Sequence, residues 1–438
     1  MQQANYTFGP AARSLALSLR TGGALRRLAL CSALLASFGC GSEGDDTLSH
    51  ADKATGTAPP LTPSPGARSF VSFESGPVRP IALSPDGSRL FVANVPDGRL
   101  EIFAVDAAGA LTPHSSVRVG LEPVSVAVRS NTEVWVVNHL SDSVSVVDVG
   151  ANPPRVARTL LVGDEPRDIV FAGAGNGRAF VTTAHRGQNR ALVPANLFTT
   201  GTQDAQLFTA SVPRADVWVY DAANAGSAFG GTPLKVIELF GDTPRPLSVS
   251  PDGNTVYVGV HFSGNETSVV SATAVCDGFN PDAPCTLNNV TYPGGDYGPS
   301  HSAAGVKAPD VGLIVQFNRA TGHWEDKRGR NWGNAVMFTL PDKDVYAINV
   351  STLSESTSFR HVGTTLMNMA TNPVSGKLYV SNLESNNFER FEGQSSHGTV
   401  QGNLAKTRIT VIDPAGGGVT PRHLNKHIDY RVLDAPES

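Results

Sequence analysis

Basic residues are not in excess in this 438-residue chain: 34 Lys and Arg stand against 39 Asp and Glu, for a formal net charge of -5. The electrostatic footprint of a nucleic-acid binder is therefore missing. Charged residues make up only 17% of the chain, and long helical periodicity is scarce. Beyond the leader, no stretch approaches eighteen consecutive apolar residues, so no bilayer-spanning helix is expected in the mature protein. The chain has no Gly-x-Ser-x-Gly elbow, no phosphate-binding P-loop and no His-Glu-x-x-His. What it does have is enough apolar content for a core, 40%, together with 44 Gly and 30 Pro. Its length is too great for one average domain and short for three. Such a composition points to an all-β fold rich in turns.

The first forty residues read as an address. Residues 1–27 carry Arg13, Arg20, Arg26 and Arg27 and no acid, and an apolar run at 28–39 follows. That run is too short to cross a bilayer stably, and the pattern is that of a secretory signal. It ends at Gly39-Cys40, followed by GSEGDD. This resembles a bacterial lipoprotein signal, which implies cleavage before Cys40 and lipidation of that cysteine; plain secretion is the rival reading. Lipid chains would anchor the protein to a membrane without spanning it. Residues 41–67, rich in Gly, Ser, Thr, Pro and Asp, read as a flexible linker. The expected location is the cell envelope of a bacterium, as a periplasmic or outer-membrane, cell-surface lipoprotein.

Residues 68–438 contain repeats. Five units open with RPIALSPDGSRLFVAN (79–94), EPVSVAVRSNTEVWVVN (122–138), EPRDIVFAGAGNGRAFVTTAH (165–185), TPRPLSVSPDGNTVYVGVH (243–261) and TTLMNMATNPVSGKLYVSN (364–382). Each gives an apolar strand, a turn, and an alternating strand. SPDG at 84–87 and 250–253 suits a tight reversal. Third strands follow at 100–106, 143–149, 216–221, 312–318 and 408–413, and fourth strands at 115–120, 158–163, 235–241 and 359–363. Four short antiparallel strands per unit, at a period of about 43 residues in the first two units, is the arithmetic of a β-propeller. One such sheet has two apolar faces, and stacking sheets round an axis buries both.

The pattern SPDG-x2-LFVAN, DSVSVVDV and TLLVGDEPRDI is similar to the YVTN-type β-propeller repeat family, over residues 69 to about 430. The resemblance is specific for fold and weak for function. Extended members of the group carry c-type haem motifs, but this chain has no Cys-x-x-Cys-His, so electron transfer is not inherited. Lactonase-like propellers share the same strand type. Seven blades are common in the family, so five visible repeats read as an incomplete ring, with an irregular five-bladed closure as the alternative. The segment 69–76 resembles a fourth strand, yet the fifth unit has a candidate of its own at 420–430.

Insertions at 186–213, 262–311 and 383–405 all leave the connection between second and third strands. They therefore emerge on one face, the position of a binding face, unless they are neutral loop growth. Cys276 and Cys285, in CDGFNPDAPC, read as a disulfide closing a small loop; a metal pair is the rival.

Two constellations could carry a site. His139, His185 and His261 follow the second strands of three consecutive units, and neutral imidazoles are good ligands for a divalent metal. The plainer reading has each histidine capping its strand end on a loop carbonyl. Arg79, Arg167 and Arg245 lead their first strands at matched positions, with His361 near the same rim. These four would line the channel mouth and favour a carboxylate or phosphate, unless the arginines pair with Glu122, Asp164, Glu165 or Asp242. Trp324 and Trp332 could stack on sugars, or simply pack an insertion. The reading favoured is an exported, lipid-anchored binding or scaffold module that presents one loop-rich face to a protein or small molecule. The rival is a propeller enzyme, metal-dependent or lactonase-like, using the His/Arg rim. A nonfunctional remnant of a longer protein is a weaker third.

Overall fold

Alternation with a period of two turns the five repeats into five antiparallel blades, each laid down strand beside strand, and the Phe262–Thr365 pair joins the fourth and fifth into one eight-stranded sheet. The computed structural model describes residues 76–184, 215–264, 266–275, 284–294, 306, 312–336, 343–387 and 404–428. These fall in the second of the two units into which the chain divides, residues 70–438. The signal, the linker, Cys40, His185, Cys276 and the insertion at 186–213 lie outside the described residues.

The first blade is β1 (Ile81–Leu83), β2 (Arg89–Asn94), β3 (Arg99–Val105) and β4 (Leu111–Arg118). The second is β5 (Pro123–Ser130), β6 (Glu133–Asn138), β7 (Ser143–Asp148) and β8 (Arg155–Leu161). The third is β9 (Pro166–Ala172), β10 (Arg178–Thr183), β11 (Ala215–Asp221) and β12 (Lys235–Leu239). The fourth opens with β13 (Asp242–Val249) and β14 (Thr255–Phe262). An insertion follows, with β15 (Thr267–Val270), the one-turn helix α1 (Ala272–Val275), β16 (Cys285–Leu287), β17 (Val290–Tyr292), β18 (Leu313–Asn318) and β19 (His323–Glu325). The fourth blade then resumes as β20 (Val345–Asn349) and β21 (Ser354–Phe359). The fifth is β22 (Thr365–Thr371), β23 (Leu378–Ser385), β24 (Ala405–Asp413) and β25 (Gly418–His423). The first strands neighbour one another in turn, β1 beside β5, β5 beside β9, β9 beside β13 and β13 beside β22. This is the radial order of a β-propeller. Among the described residues no helix is long and apolar enough to cross a membrane.

The SPDG turns behave as their chemistry dictates. Ser84 donates its hydroxyl to Asp86 at 2.6 Å, Ser250 donates to Asp252 at 2.5 Å, and Gly87 and Gly253 both take φ of 72°.

The second, third and fourth blades bury both faces because their strands are apolar at odd and even positions alike. In β6, Val134 and Val136 pack toward the first blade, while Trp135 and Val137 pack toward the third. In β10, Ala179 and Val181 face the second blade and Phe180 the fourth. Four such cores join the first blade to the second, the second to the third, the third to the fourth and the fourth to the fifth. Among the described residues none joins the fifth to the first. Across β1, β2 and β3 the register puts Ile81 beside Val92, and Leu83 beside Leu90 and Phe103, on the face turned away from the second blade. Ile81 is 55% exposed and Leu83 53%.

Two expectations need correction. The segment 312–318 is not the third strand of the fourth blade: β18 pairs with β15 and β19 inside the insertion, and β20 is the strand beside β14. The insertion therefore continues beyond 311, up to the start of β20. Both segments alternate apolar residues, and the longer, greasier one is the stronger strand signal, so periodicity alone cannot say which pairs with β14. Likewise the fourth strand of that blade is β21, ending at Phe359, and 360–363 is the link to β22. The insertion has a core of its own, which includes Val270, Tyr292, Leu313, Val315 and Trp332. Trp332 is fully buried and donates Nε1–H to Asp326 at 2.9 Å, so it packs the insertion and stacks on no sugar.

Candidate functional site

The start of each first strand lies opposite the end of its second strand: Pro123 is paired with Asn138, Pro166 with Thr183, and Asp242 with Phe262. The turns into the first strands and the insertions leaving the second strands therefore share one face. The turns are also alike. Gly120-Leu121-Glu122-Pro123, Gly163-Asp164-Glu165-Pro166 and Gly241-Asp242-Thr243-Pro244 lead into β5, β9 and β13. The residue before each proline is left-handed, with φ of 49° at Glu122, 50° at Glu165 and 52° at Thr243. A side chain there costs on the order of 1 kcal/mol. The carbonyls of Glu122 and Asp164 hold two of the turns down, accepting the His139 and Ala184 N–H groups, each at 2.9 Å. At Gly120 a Cβ would collide with Ser141 Oγ and the Asn138 side chain. The result places Arg167 and Arg245 at the same level of neighbouring inner strands.

The axis itself is closed. Residues Gly76–Arg79 run across it: Val78 donates N–H to the Val124 carbonyl at 2.9 Å, and Asn368 of the fifth blade donates Nδ2–H to the Val78 carbonyl at 3.1 Å. Arg79 reaches into the axis and donates to the Leu247 carbonyl at 2.7 Å and to Asp168 at 3.2 Å. Asp168, fully buried, also accepts the Ser125 hydroxyl at 2.7 Å and the Leu247 N–H at 2.9 Å. One carboxylate thus ties the first four blades together. Sequence reasoning passed it over, and its signal was small: of the three arginines, only Arg167 is followed by an acid.

Of the four residues expected round the mouth, Arg167 and Arg245 remain there. Arg167 bonds Glu165 at 2.9 Å, which bears out the pairing alternative for that residue, and Arg245 donates to the Gly76 carbonyl at 2.9 Å. Burial lowers the pKa of Arg245, and the charge of Arg167 adds to the fall, so two like charges are held within electrostatic range. Arg79 is spent on the axis. His361, also left-handed at φ 60°, lines a separate cavity of about 510 Å³ with Glu266, Arg319, Asp326 and Lys327. Glu266 is buried there and takes both Arg319 and Arg360.

His261 is an interblade staple, donating Nδ1–H to the Leu366 carbonyl of the fifth blade at 2.7 Å, while His139, 2% exposed, faces the Pro166 carbonyl of the third and keeps a buried Nδ1 with no hydrogen-bond partner among the described residues. Both have lowered pKa values. Burial is the main cause, with Arg167 pressing on His139 and Arg245 and Arg167 on His261. His261 is engaged with the next blade, as a strand-end cap would be, and the described residues contain no group of three or more His, Cys, Asp or Glu able to hold a metal. Cys285 is disulfide-bonded.

The fold and this face define a β-propeller whose mouth carries Arg167 and Arg245 among the turn acids Asp164, Glu165 and Asp242. No known protein family matches the chain, and no characterised protein is found as a relative. Among solved structures it is similar to Kuenenia stuttgartiensis hydrazine synthase, at 18% identity and a TM-score of 0.47 over 81% of this chain and 68% of that one. It is also similar to a functionally unknown protein from Desulfotomaculum acetoxidans DSM 771, at 12% identity and a TM-score of 0.30, over 41% of this chain and 50% of that one.

Proposed function

We propose that this protein is an exported β-propeller of the YVTN kind, tethered to the cell envelope through a lipid on Cys40, that binds a carboxylate- or phosphate-bearing ligand on its loop-rich face. Binding, with no catalytic step, is its task. The observation that carries the reading is the Arg167–Arg245 pair. Two guanidiniums sit at matched positions on adjacent inner strands, Arg167 paired with Glu165 and Arg245 bonded to the Gly76 carbonyl, while the buried Asp168 takes Arg79 and also faces Arg245. A guanidinium pair at a partly buried mouth favours an anion, and the planar fork offers bidentate contacts. The insertions that rise from the same face would enclose the ligand, and a Cys276–Cys285 disulfide would brace the largest of them.

The test uses the mature chain from residue 41. Inorganic phosphate and acetate are titrated against it in a thermal-shift assay at constant ionic strength, with sodium chloride as control. The expected result is a concentration-dependent rise in Tm that Arg167→Gln and Arg245→Gln each abolish. An equal rise in both variants would sink the reading.

A further inference from the structure

The internal repeats serve as their own comparison. Where the third and fourth units place Asp164 and Asp242 in the turn, the second places Leu121, which is 58% exposed. Leu140 and Phe262, which follow His139 and His261, occupy one repeat position, and they are 61% and 53% exposed. Leu140 donates its N–H to the Leu121 carbonyl at 3.2 Å, so the two leucines adjoin. The ring of Phe262 lies 4.5 Å from that of His261. Leu121 and Leu140 belong to the second blade, Arg167 to the third, and Arg245 and Phe262 to the fourth. Arg167 and Arg245, with the turn acids Asp164, Glu165 and Asp242, are thus flanked on both sides by large apolar side chains on a single face. Water exposure of one such residue is ordinary, but apolar groups that border a charge site make a recognition surface.

We infer that the mouth is built for a small amphipathic carboxylate, an aromatic or branched-aliphatic acid, with the carboxylate on Arg167 and Arg245 and the apolar part against Leu121 and Leu140. This rests on the anion-binding reading above. An inorganic anion would leave the leucines wet, whereas an apolar acid covers them and adds their burial to the charge contacts. His261 donates to backbone, and the carboxylate would compete with Glu165 for Arg167.

The experiment is calorimetric titration of the mature chain with acetate, phenylacetate and the uncharged phenethyl alcohol. Phenylacetate is expected to bind about tenfold more tightly than acetate, and phenethyl alcohol not measurably. The double variant Leu121→Ser/Leu140→Ser, whose sites are exposed and whose Tm should be unchanged, is expected to bring phenylacetate down to the acetate level. Arg245→Gln is expected to remove both acids. If the leucine variant leaves the ratio of phenylacetate to acetate intact while Arg245→Gln removes binding, the inference falls and the anion site stands. If phenethyl alcohol binds as tightly as phenylacetate, or Arg245→Gln changes nothing, the anion site falls with it.

Discussion

Asp168 at the axis and Asp344 at the joint of the fourth and fifth blades are both fully buried, and both accept a serine hydroxyl and backbone N–H groups. They differ in what faces them. Asp168 has the Arg79 guanidinium at 3.2 Å. Asp344 has Ser263 and the Val362 and Gly363 N–H groups, the latter two at 2.7 Å and 3.4 Å, and no cation among the described residues. Burial pushes Asp344 up to about 6 against those hydrogen bonds, and the charge of Glu384 adds to the rise. Two more buried acids follow the first pattern, Glu266 with Arg319 and Arg360, and Asp326 with Arg330. Hydrogen bonds alone orient a buried carboxylate, but a guanidinium is what compensates its charge.

The largest effect should come from breaking the axial pair. Asp168→Ala leaves Arg79, the Ser125 hydroxyl and the Leu247 N–H without their acceptor, and should cost about 3–5 kcal/mol in urea denaturation. A loss below about 1 kcal/mol would mean that the blades are held by their apolar seams alone. Arg79→Met is milder, at about 1–3 kcal/mol, because Asp168 keeps its other donors and still lies in the field of the Arg245 cation.

Asp344→Asn should go the other way. A carboxylate whose folded pKa lies above its unfolded value favours folding at low pH, and that contribution is lost as pH rises from about 4 through about 6. An asparagine can still accept the Val362 N–H and can donate to Ser263. Stability at pH 7.5 should therefore rise by up to about 3 kcal/mol, and the difference from wild type should vanish near pH 4. An unchanged profile would show that Asp344 is not ionised at the higher pH.

How far all this was legible in the sequence varies with the range of the interaction. The blades were readable because strand alternation and SPDG turns are local. Arg167 and Arg245 were readable as a pair because repeats impose matched positions. The axial role of Arg79 was not, because its partners Asp168 and Leu247 lie far along the chain and meet it only at the axis. Asp344 was hidden for a related reason: 312–318 passed for the neighbouring strand, so 344 fell in the unassigned stretch between the expected third and fourth strands. The histidines were seen as a repeat, and among the described residues His261 bonds the Leu366 carbonyl of the next blade.

The smallest predicted effect uses those histidines to sharpen the contrast. His139 and His261 have folded pKa values below the unfolded value of about 6.5, because burial and the nearby arginines oppose the imidazolium. Their contribution to stability is full above that value and is lost as pH falls below it, the opposite sign to Asp344. In wild type the two trends oppose one another between about pH 4 and 6.5 and flatten the profile. In the Asp344→Asn background the histidine trend should stand alone, so unfolding free energy should fall steadily from pH 7 to pH 5 in a urea series. Adding His139→Gln and His261→Gln, which keep a side-chain donor for the Pro166 and Leu366 carbonyls, should remove most of that slope. A slope that survives both substitutions would assign the acid sensitivity elsewhere and leave the two histidines without a proton-linked role.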